Sequence, residues 1–210
     1  MADDIAPNMQ ARAAQLCDTA RFFAARGLCP ATGGNFSTRA DDGEVLITAS
    51  GLDKGTLSPA DLLPIALDGT LRGAGRPSAE TGLHLALYRR DPAIGAVLHV
   101  HSIANTLLSR LGRPSVLTFD GYEMQKAISG NPSHEGVLRL PVLDNSQDMD
   151  TLATALDARF DEAAPAYGFL VRGHGIYAWG ADIATARRHL EGWEFLLACE
   201  LARRQLETRS

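Results

Sequence analysis

Ala96-Val97-Leu98-His99-Val100-His101-Ser102 is the stretch from which the rest of the chain can be read. It closes an apolar run that starts at Ile94. A run this short, apolar and partly β-branched reads as a buried strand. Side chains on a strand alternate between faces, so His99 and His101 leave the same face where the strand ends. Neutral imidazole is the commonest protein ligand for zinc and its neighbours, and two on one rigid strand make half a site. The same spacing also suits two hydrogen-bonded histidines that hold no ion. The pair alone leaves both readings open.

A third histidine bears on the choice. Gly168-Phe169-Leu170-Val171-Arg172-Gly173-His174-Gly175-Ile176-Tyr177-Ala178-Trp179-Gly180 reads as two apolar strands joined by a Gly-His-Gly turn. Glycine lets the backbone take unusual angles and come close to a ligand. A histidine on such a turn has no obvious packing role. Three protein ligands with one open position is the arrangement of catalytic zinc, whereas four ligands close a structural site. The pattern therefore points to a catalytic metal site of His99, His101 and His174. His84 and His189 fall inside amphipathic helical patterns and read as core or surface residues. His134 lies in a polar loop, from which it could touch a substrate.

Working outward, Met9 to Arg26 has helical apolar spacing and ends at Gly27. Gly33-Gly34-Asn35-Phe36-Ser37-Thr38 is a glycine loop feeding a short strand. Glu44 to Thr48 is a second strand. Ser58-Pro59-Ala60-Asp61 begins a turn of helix with Ser58 as its cap. Leu63 to Leu67 and Gly69 to Leu71 suggest a hairpin around Asp68-Gly69. Ser78 to Arg90 reads as a helix with Leu83, Ala86 and Leu87 inward, and Ser102 to Leu111 as another. Met124 to Ile128 is a short helical turn, Val137 to Val142 a strand and Asp150 to Phe160 a helix. Ile183, Ala186, Leu190, Trp193, Leu197 and Leu201 mark a long final helix. Strands in hairpin-like neighbours with helices between some of them indicate a mixed α/β layer, not a regular βαβ array. Gly33-Gly34-Asn35 lacks the spacing of a dinucleotide-binding loop.

The gross numbers narrow the function classes. A chain of 210 residues with 45% hydrophobic content is expected to form one domain, spanning 1–210, with a sizeable core. Twenty basic and 25 acidic residues give a net charge of −5 with no basic block, which argues against nucleic acid or an anionic membrane as partner. Neither a signal-peptide pattern nor an apolar stretch of transmembrane length is present. Cys17, Cys29 and Cys199 are odd in number and far apart, as expected of reduced thiols in a cytoplasmic protein, two of them on helices.

Three polar, glycine-containing or helix-start segments could cradle an anion: Gly34-Asn35-Phe36-Ser37, Thr48-Ala49-Ser50-Gly51 with Lys54 following, and Pro77-Ser78-Ala79-Glu80. The third reads as a helix start, where free backbone N–H groups and the helix dipole favour negative charge. Each alone also reads as an ordinary turn or cap. Lys54 suits a phosphate oxygen and equally suits a solvated surface position. Beside a metal site, the three together suggest a small phosphorylated substrate.

With these residues in hand, the chain resembles the class II aldolase/adducin family over nearly its whole length. The resemblance is carried by the order and spacing of Gly34-Asn35-Phe36-Ser37, Thr48-Ala49-Ser50-Gly51, Pro77-Ser78-Ala79-Glu80, His99-Val100-His101-Ser102 and Gly173-His174-Gly175. Ser50-Gly51-Leu52-Asp53-Lys54-Gly55, Tyr122-Glu123-Met124-Gln125-Lys126-Ala127 and Leu140-Pro141-Val142-Leu143-Asp144-Asn145-Ser146-Gln147-Asp148 resemble most the members that dehydrate a methylthio-bearing ketose phosphate in methionine salvage. The resemblance implies a three-layer α/β/α sandwich on a largely antiparallel sheet, and a homotetramer with active sites near subunit boundaries. It implies one zinc ion per subunit on His99, His101 and His174. Asn35, Ser50, Gly51 and Ser78 would meet the phosphate. Family aldolases often carry a serine where this chain has Ala79. They use a carboxylate at the position of Glu80 as base. In the dehydratases the glutamate matching Glu123 exchanges the protons.

The implied reaction removes water from a 2-keto sugar phosphate. A base takes the C3 proton, an acid protonates the departing C4 hydroxyl, and the enol becomes a 2,3-diketone. Partial burial beside the substrate would bring the Glu123 pKa near neutrality and let it serve both steps, while on the residues alone Glu123 reads as a solvated loop residue. Glu80 is the second candidate, with a plain alternative as a first-turn carboxylate. An aldolase or epimerase of the same family needs the same metal and phosphate sites, and differs only in where acid and base lie relative to C4. A non-enzymatic, adducin-like interaction module would have no use for three retained histidines.

Overall fold

A computed structural model of the chain describes residues 7–40, 43–162 and 165–207. Its strands are β1 (Asn35–Arg39), β2 (Val45–Thr48), β3 (Leu62–Ile65), β4 (Ala96–Val100), β5 (Val116–Phe119), β6 (Leu138–Leu143), β7 (Gly168–Val171) and β8 (Gly175–Gly180). They lie in the order β3-β2-β1-β4-β8-β7-β6-β5. Every pairing is antiparallel except that of β6 with β7. Five helices accompany them: α1 (Pro7–Ala24), α2 (Thr81–Arg90), α3 (Ile103–Arg110), α4 (Met149–Glu162) and α5 (Ile183–Glu207). None of the described helices is long and apolar enough to cross a membrane.

The histidine strand is the central β4, and all five of its residues are buried. Its alternation sorts the layers. Ala96, Leu98 and Val100 pack with Phe23 of α1, Leu108 of α3 and Trp193 of α5. Val97 packs with Leu83 and Leu87 of α2 and Leu152 and Leu156 of α4. Helices therefore cover both faces of a largely antiparallel sheet, which is the expected three-layer sandwich. The long helix α5 buries Ile183, Ala186, Leu190, Trp193 and Leu197, the stripe its spacing foretold.

The register places the site. Asn35 of β1 lies opposite His99, and Tyr177 of β8 lies opposite His99 on the other side. Ser102 caps α3 by accepting a hydrogen bond from the Asn105 N–H, so the chain leaves β4 and turns into helix directly after His101.

Some expectations change. The helix expected from Ser78 begins at Thr81, and Ser78 is not its cap. Ser78 instead heads a turn, its carbonyl accepting from the Thr81 N–H and its hydroxyl from the Glu80 N–H. The hairpin at Asp68-Gly69 exists, but its second arm makes only an isolated bridge, Ile65 to Leu71. Strand β5, Val116-Leu117-Thr118-Phe119, is not read from the sequence although Pro114-Ser115 and Asp120-Gly121 bound it, because four residues give too short a run for alternation to show. The helical turn near Met124 is a 3-10 helix over Glu123–Ala127. Cys17 and Cys199 lie on helices, and all three cysteines are free.

Candidate metal centre

Four side chains meet where β4, the β7–β8 turn and the start of α2 converge. His99, His101, His174 and Glu80 each offer a ligand atom, and these atoms all lie within 4.8 Å of one another. His99 and His101 come from one strand face, as alternation requires. His174 comes from the β7–β8 turn, where Gly173 holds a φ of +66°. Gly175 lets that turn close on the strand. A Cβ there would sit 2.4 Å from the Val100 carbonyl oxygen and 2.7 Å from ring carbons of both His99 and His101.

The nitrogen geometry fits a cation. His99 Nδ1 lies 2.9 Å from the Ile176 carbonyl oxygen, which can only accept, so Nδ1 carries the proton. The Nε2 lone pair of His99 then faces His101 Nε2 at 2.8 Å. Glu80 Oε1 lies 2.8 Å from His174 Nε2, and Oε2 lies 3.2 Å from His99 Nε2. Lone pairs and a carboxylate converging on one point are the donor set of a divalent ion.

Electrostatics agree. Burial holds the His99 ring well below its usual pKa and lowers that of His101, so both are neutral, as ligands must be. Burial would raise the Glu80 carboxyl, but the neighbouring imidazoles of His99 and His174 and the amide of Asn35 outweigh it. Glu80 is held ionised, well below the ordinary carboxylate range. Asn35 Nδ2 donates to Glu80 Oε2 at 2.6 Å and the Tyr177 hydroxyl donates to the same oxygen at 3.0 Å. The Tyr177 ring stacks on His99 at 4.1 Å between centroids.

The three anion-type segments come together beside this cluster. Gly33, Gly34, Asn35, Ser50, Gly51, Lys54, Ser78, Glu80 and His101 line one cavity of about 260 Å³. Gly51 has a φ of +78°. Arg76, which the sequence reading passed over, reaches the Ser50 hydroxyl at 3.3 Å. Lys54 is not a solvated lysine. It is 2% exposed, and its Nζ donates to the Thr32 and Leu52 carbonyls at 2.7 Å each. Burial lowers its pKa. It staples the Pro30–Thr32 turn, where Ala31 and Thr32 hold positive φ.

Glu123 stands apart. Its side chain is 71% exposed and pairs with Lys126 and, at 3.4 Å, with His134. The hydrogen bond from Lys126 lowers its pKa. The expected partial burial is absent, because the 3-10 helix docks on α5 through Ala127, against Gly192, and turns Glu123 outward. His134 is likewise exposed. His189 is buried, its Nδ1 at 2.6 Å from the Trp179 carbonyl oxygen, and keeps a structural role. His84 is buried but borders the site, which its helical spacing did not distinguish. Glu80 as a fourth donor was also not foreseen: sequence spacing does not show that the start of α2 meets β4.

The fold is that of a known class. Residues 14–201 match the model of the class II aldolase and adducin N-terminal domain, and the chain belongs to this family. It is 52% identical over 186 residues to a methylthioribulose-1-phosphate dehydratase of Pectobacterium carotovorum, covering 88% of this chain and 91% of that one. A protein of the same description from Serratia proteamaculans is 49% identical over 203 residues, covering 96% and 98%. Among solved structures, L-fuculose-1-phosphate aldolase from Thermus thermophilus superimposes with a TM-score of 0.77 at 28% identity, covering 95% of this chain and 98% of that one.

Proposed function

We propose that the chain dehydrates 5-methylthioribulose 1-phosphate to 5-methylthio-2,3-dioxopentyl phosphate, a step of methionine salvage, with one zinc ion per subunit on His99, His101 and His174. The observation that carries this reading is the junction between donor cluster and cavity. A ketose 1-phosphate has its phosphate one carbon from the carbonyl, so an anion-binding wall must adjoin the metal centre, as the Asn35, Ser50, Gly51 and Ser78 wall adjoins His101 and Glu80. The activity named for the two bacterial relatives favours dehydration over other outcomes.

His99, His101 and His174 would hold the ion, which would supply Lewis acidity on the carbonyl side of the substrate. Asn35, Ser50, Gly51 and Ser78 bind and orient the phosphate, and Lys54 holds the Pro30–Thr32 turn beside them. Glu123 takes the C3 proton and delivers a proton to the C4 hydroxyl, which leaves as water; the resulting enol tautomerises to the diketone. Glu80 lies among the three histidines at ligand distance and serves as a further donor to the ion. The exposed position of Glu123 suits a carboxylate that reaches the cavity of a neighbouring subunit in a homotetramer. Three free thiols suit the reducing cytoplasm.

Aldol cleavage between C3 and C4 is the second reading, favoured by the likeness to the fuculose phosphate aldolase. One incubation separates the two. Zinc-loaded protein with methylthioribulose 1-phosphate should give the diketone phosphate and water. Dihydroxyacetone phosphate with methylthioacetaldehyde would establish the aldolase instead, and no turnover would overturn both.

A further inference from the structure

Helix α2 and strand β1 carry polar residues in matching steps. Glu80, His84 and Tyr88 follow at intervals of four along one helix face, about 6 Å per step. Asn35 and Ser37 follow at an interval of two on one strand face, about 6.6 Å per step. The two rows interleave in the order Glu80, Asn35, His84, Ser37, Tyr88. Asn35 Nδ2 is 2.6 Å from Glu80 Oε2, and Asn35 Oδ1 is 2.5 Å from His84 Nε2. His84 Nδ1 is 2.6 Å from Ser37 Oγ, which is 2.8 Å from the Tyr88 hydroxyl. His84 and Ser37 are fully buried and Tyr88 is 1% exposed, so water does not interrupt the row.

Chemistry gives this row a single direction. The Glu80 carboxylate can only accept, so the Asn35 amide nitrogen faces it and Asn35 Oδ1 faces His84. That oxygen can only accept, so His84 Nε2 carries the proton. In a neutral ring Nδ1 then accepts, and Ser37 is its donor. The Val97 carbonyl lies 3.5 Å from Ser37 Oγ, too far to compete. Ser37 in turn accepts from Tyr88. Burial pushes the His84 ring down to about 4, which keeps it neutral, and raises the Tyr88 hydroxyl, which keeps it a donor.

We infer that His84 is a positioning residue: as the Nε2–H tautomer it fixes the Asn35 carboxamide, and through it the Glu80 carboxylate, so that Asn35 keeps one N–H on Glu80 and offers the other to the substrate cavity. The inference rests on reading His99, His101, His174 and Glu80 as a metal centre. Reversing any member of the row would set an acceptor against an acceptor. Groups that orient a ligating side chain typically contribute ~10–100-fold to metal affinity or activity.

Two measurements test it. Long-range proton–nitrogen correlation spectra of ¹⁵N-labelled protein report which His84 nitrogen is protonated, and are recorded on wild type and on Ser37→Ala. Zinc retention is measured by chelator competition on wild type, Ser37→Ala and His84→Gln. The expected result is the Nε2–H tautomer in wild type, its partial loss in Ser37→Ala, and zinc affinity about tenfold weaker in both variants, with KM for the phosphorylated substrate raised as Asn35 turns. The Nδ1–H tautomer in wild type, or wild-type zinc affinity in both variants, overturns the inference. Wild-type protein that binds no divalent ion would overturn the metal-centre reading, and with it the role of the row there, while the nitrogen spectra still decide the direction of the row.

Discussion

The Nε2 atoms of His99 and His101 lie 2.8 Å apart, a spacing that suits either a hydrogen bond between two neutral rings or two lone pairs turned toward one ion. With His99 Nδ1 committed to the Ile176 carbonyl, a tautomer change at His99 would forfeit a buried hydrogen bond, so its Nε2 lone pair stays turned toward His101. An ion bound there would take up both imidazoles together with Glu80 and His174.

The first expectation concerns that ion. Purified protein should carry one divalent ion per chain, and chelation should abolish turnover until zinc is restored. At a free ion concentration of 100 times Kd, binding stabilises the fold by about 2.7 kcal/mol. For a chain of this size the loss should lower Tm by roughly 5–10 °C. Calorimetry with and without chelator checks this. His101→Ala, which removes a donor on a partly exposed residue, should abolish the difference.

Gly175→Ala should damage the centre without touching a donor. Its methyl would press on the Val100 oxygen and both histidine rings at 2.4–2.7 Å. Metal content and kcat should both collapse. Gly136→Ala, where nothing lies within 4 Å, should stay within about 0.5 kcal/mol of wild-type stability and keep full metal content. Equal behaviour of the two variants would remove the packing argument.

Glu123→Gln keeps shape but ends proton exchange. General acid–base groups contribute ~10²–10⁴-fold, and kcat should drop by that range while zinc stays bound. Exchange of the C3 proton with deuterated solvent in this variant shows which transfer Glu123 performs. If exchange persists, Glu123 is the acid alone. Near-normal dehydration by Glu123→Gln, with Glu80→Gln inactive, would return the base role to Glu80.

Folding stability should decline as pH falls from neutral toward 4. The His84 pKa is about 4 in the folded chain and near 6.5 when unfolded. Between those values the unfolded state binds the extra proton, so His84 contributes stability that is complete above about 6.5 and lost as pH falls through the folded value. Its partners Ser37, Asn35 and Tyr88 supply no compensating charge; Glu80, one residue further along the row, supplies one only at a distance. Each such histidine contributes a slope of up to about 1.4 kcal/mol per pH unit. Urea unfolding at several pH values should show His84→Gln with a slope shallower by about that amount.

The sequence alone determined what is local and periodic. Alternation put His99 and His101 on one face of a buried strand, the Gly-His-Gly turn singled out His174, and the apolar stripe of α5 was legible from Ile183 to Leu197. The glycine segments were recognisable as turns because glycine tolerates φ values other residues avoid. Only tertiary structure decided what depends on which elements meet. Lys54 suited a phosphate oxygen or a solvated surface position equally, and its nitrogen is instead tied to two carbonyls inside a turn. Glu80 read as a candidate base or a first-turn carboxylate, and only the meeting of the start of α2 with β4 places it among the histidines. Glu123 was expected to be half-buried, yet in the single chain its turn faces outward. His84 gave no signal on its own, because a helical spacing of four becomes a hydrogen-bonded row only when a strand with a spacing of two lies beside it. Spacing along the chain fixes where a side chain points within its element, while burial and charge at a site are set by the neighbours that packing brings.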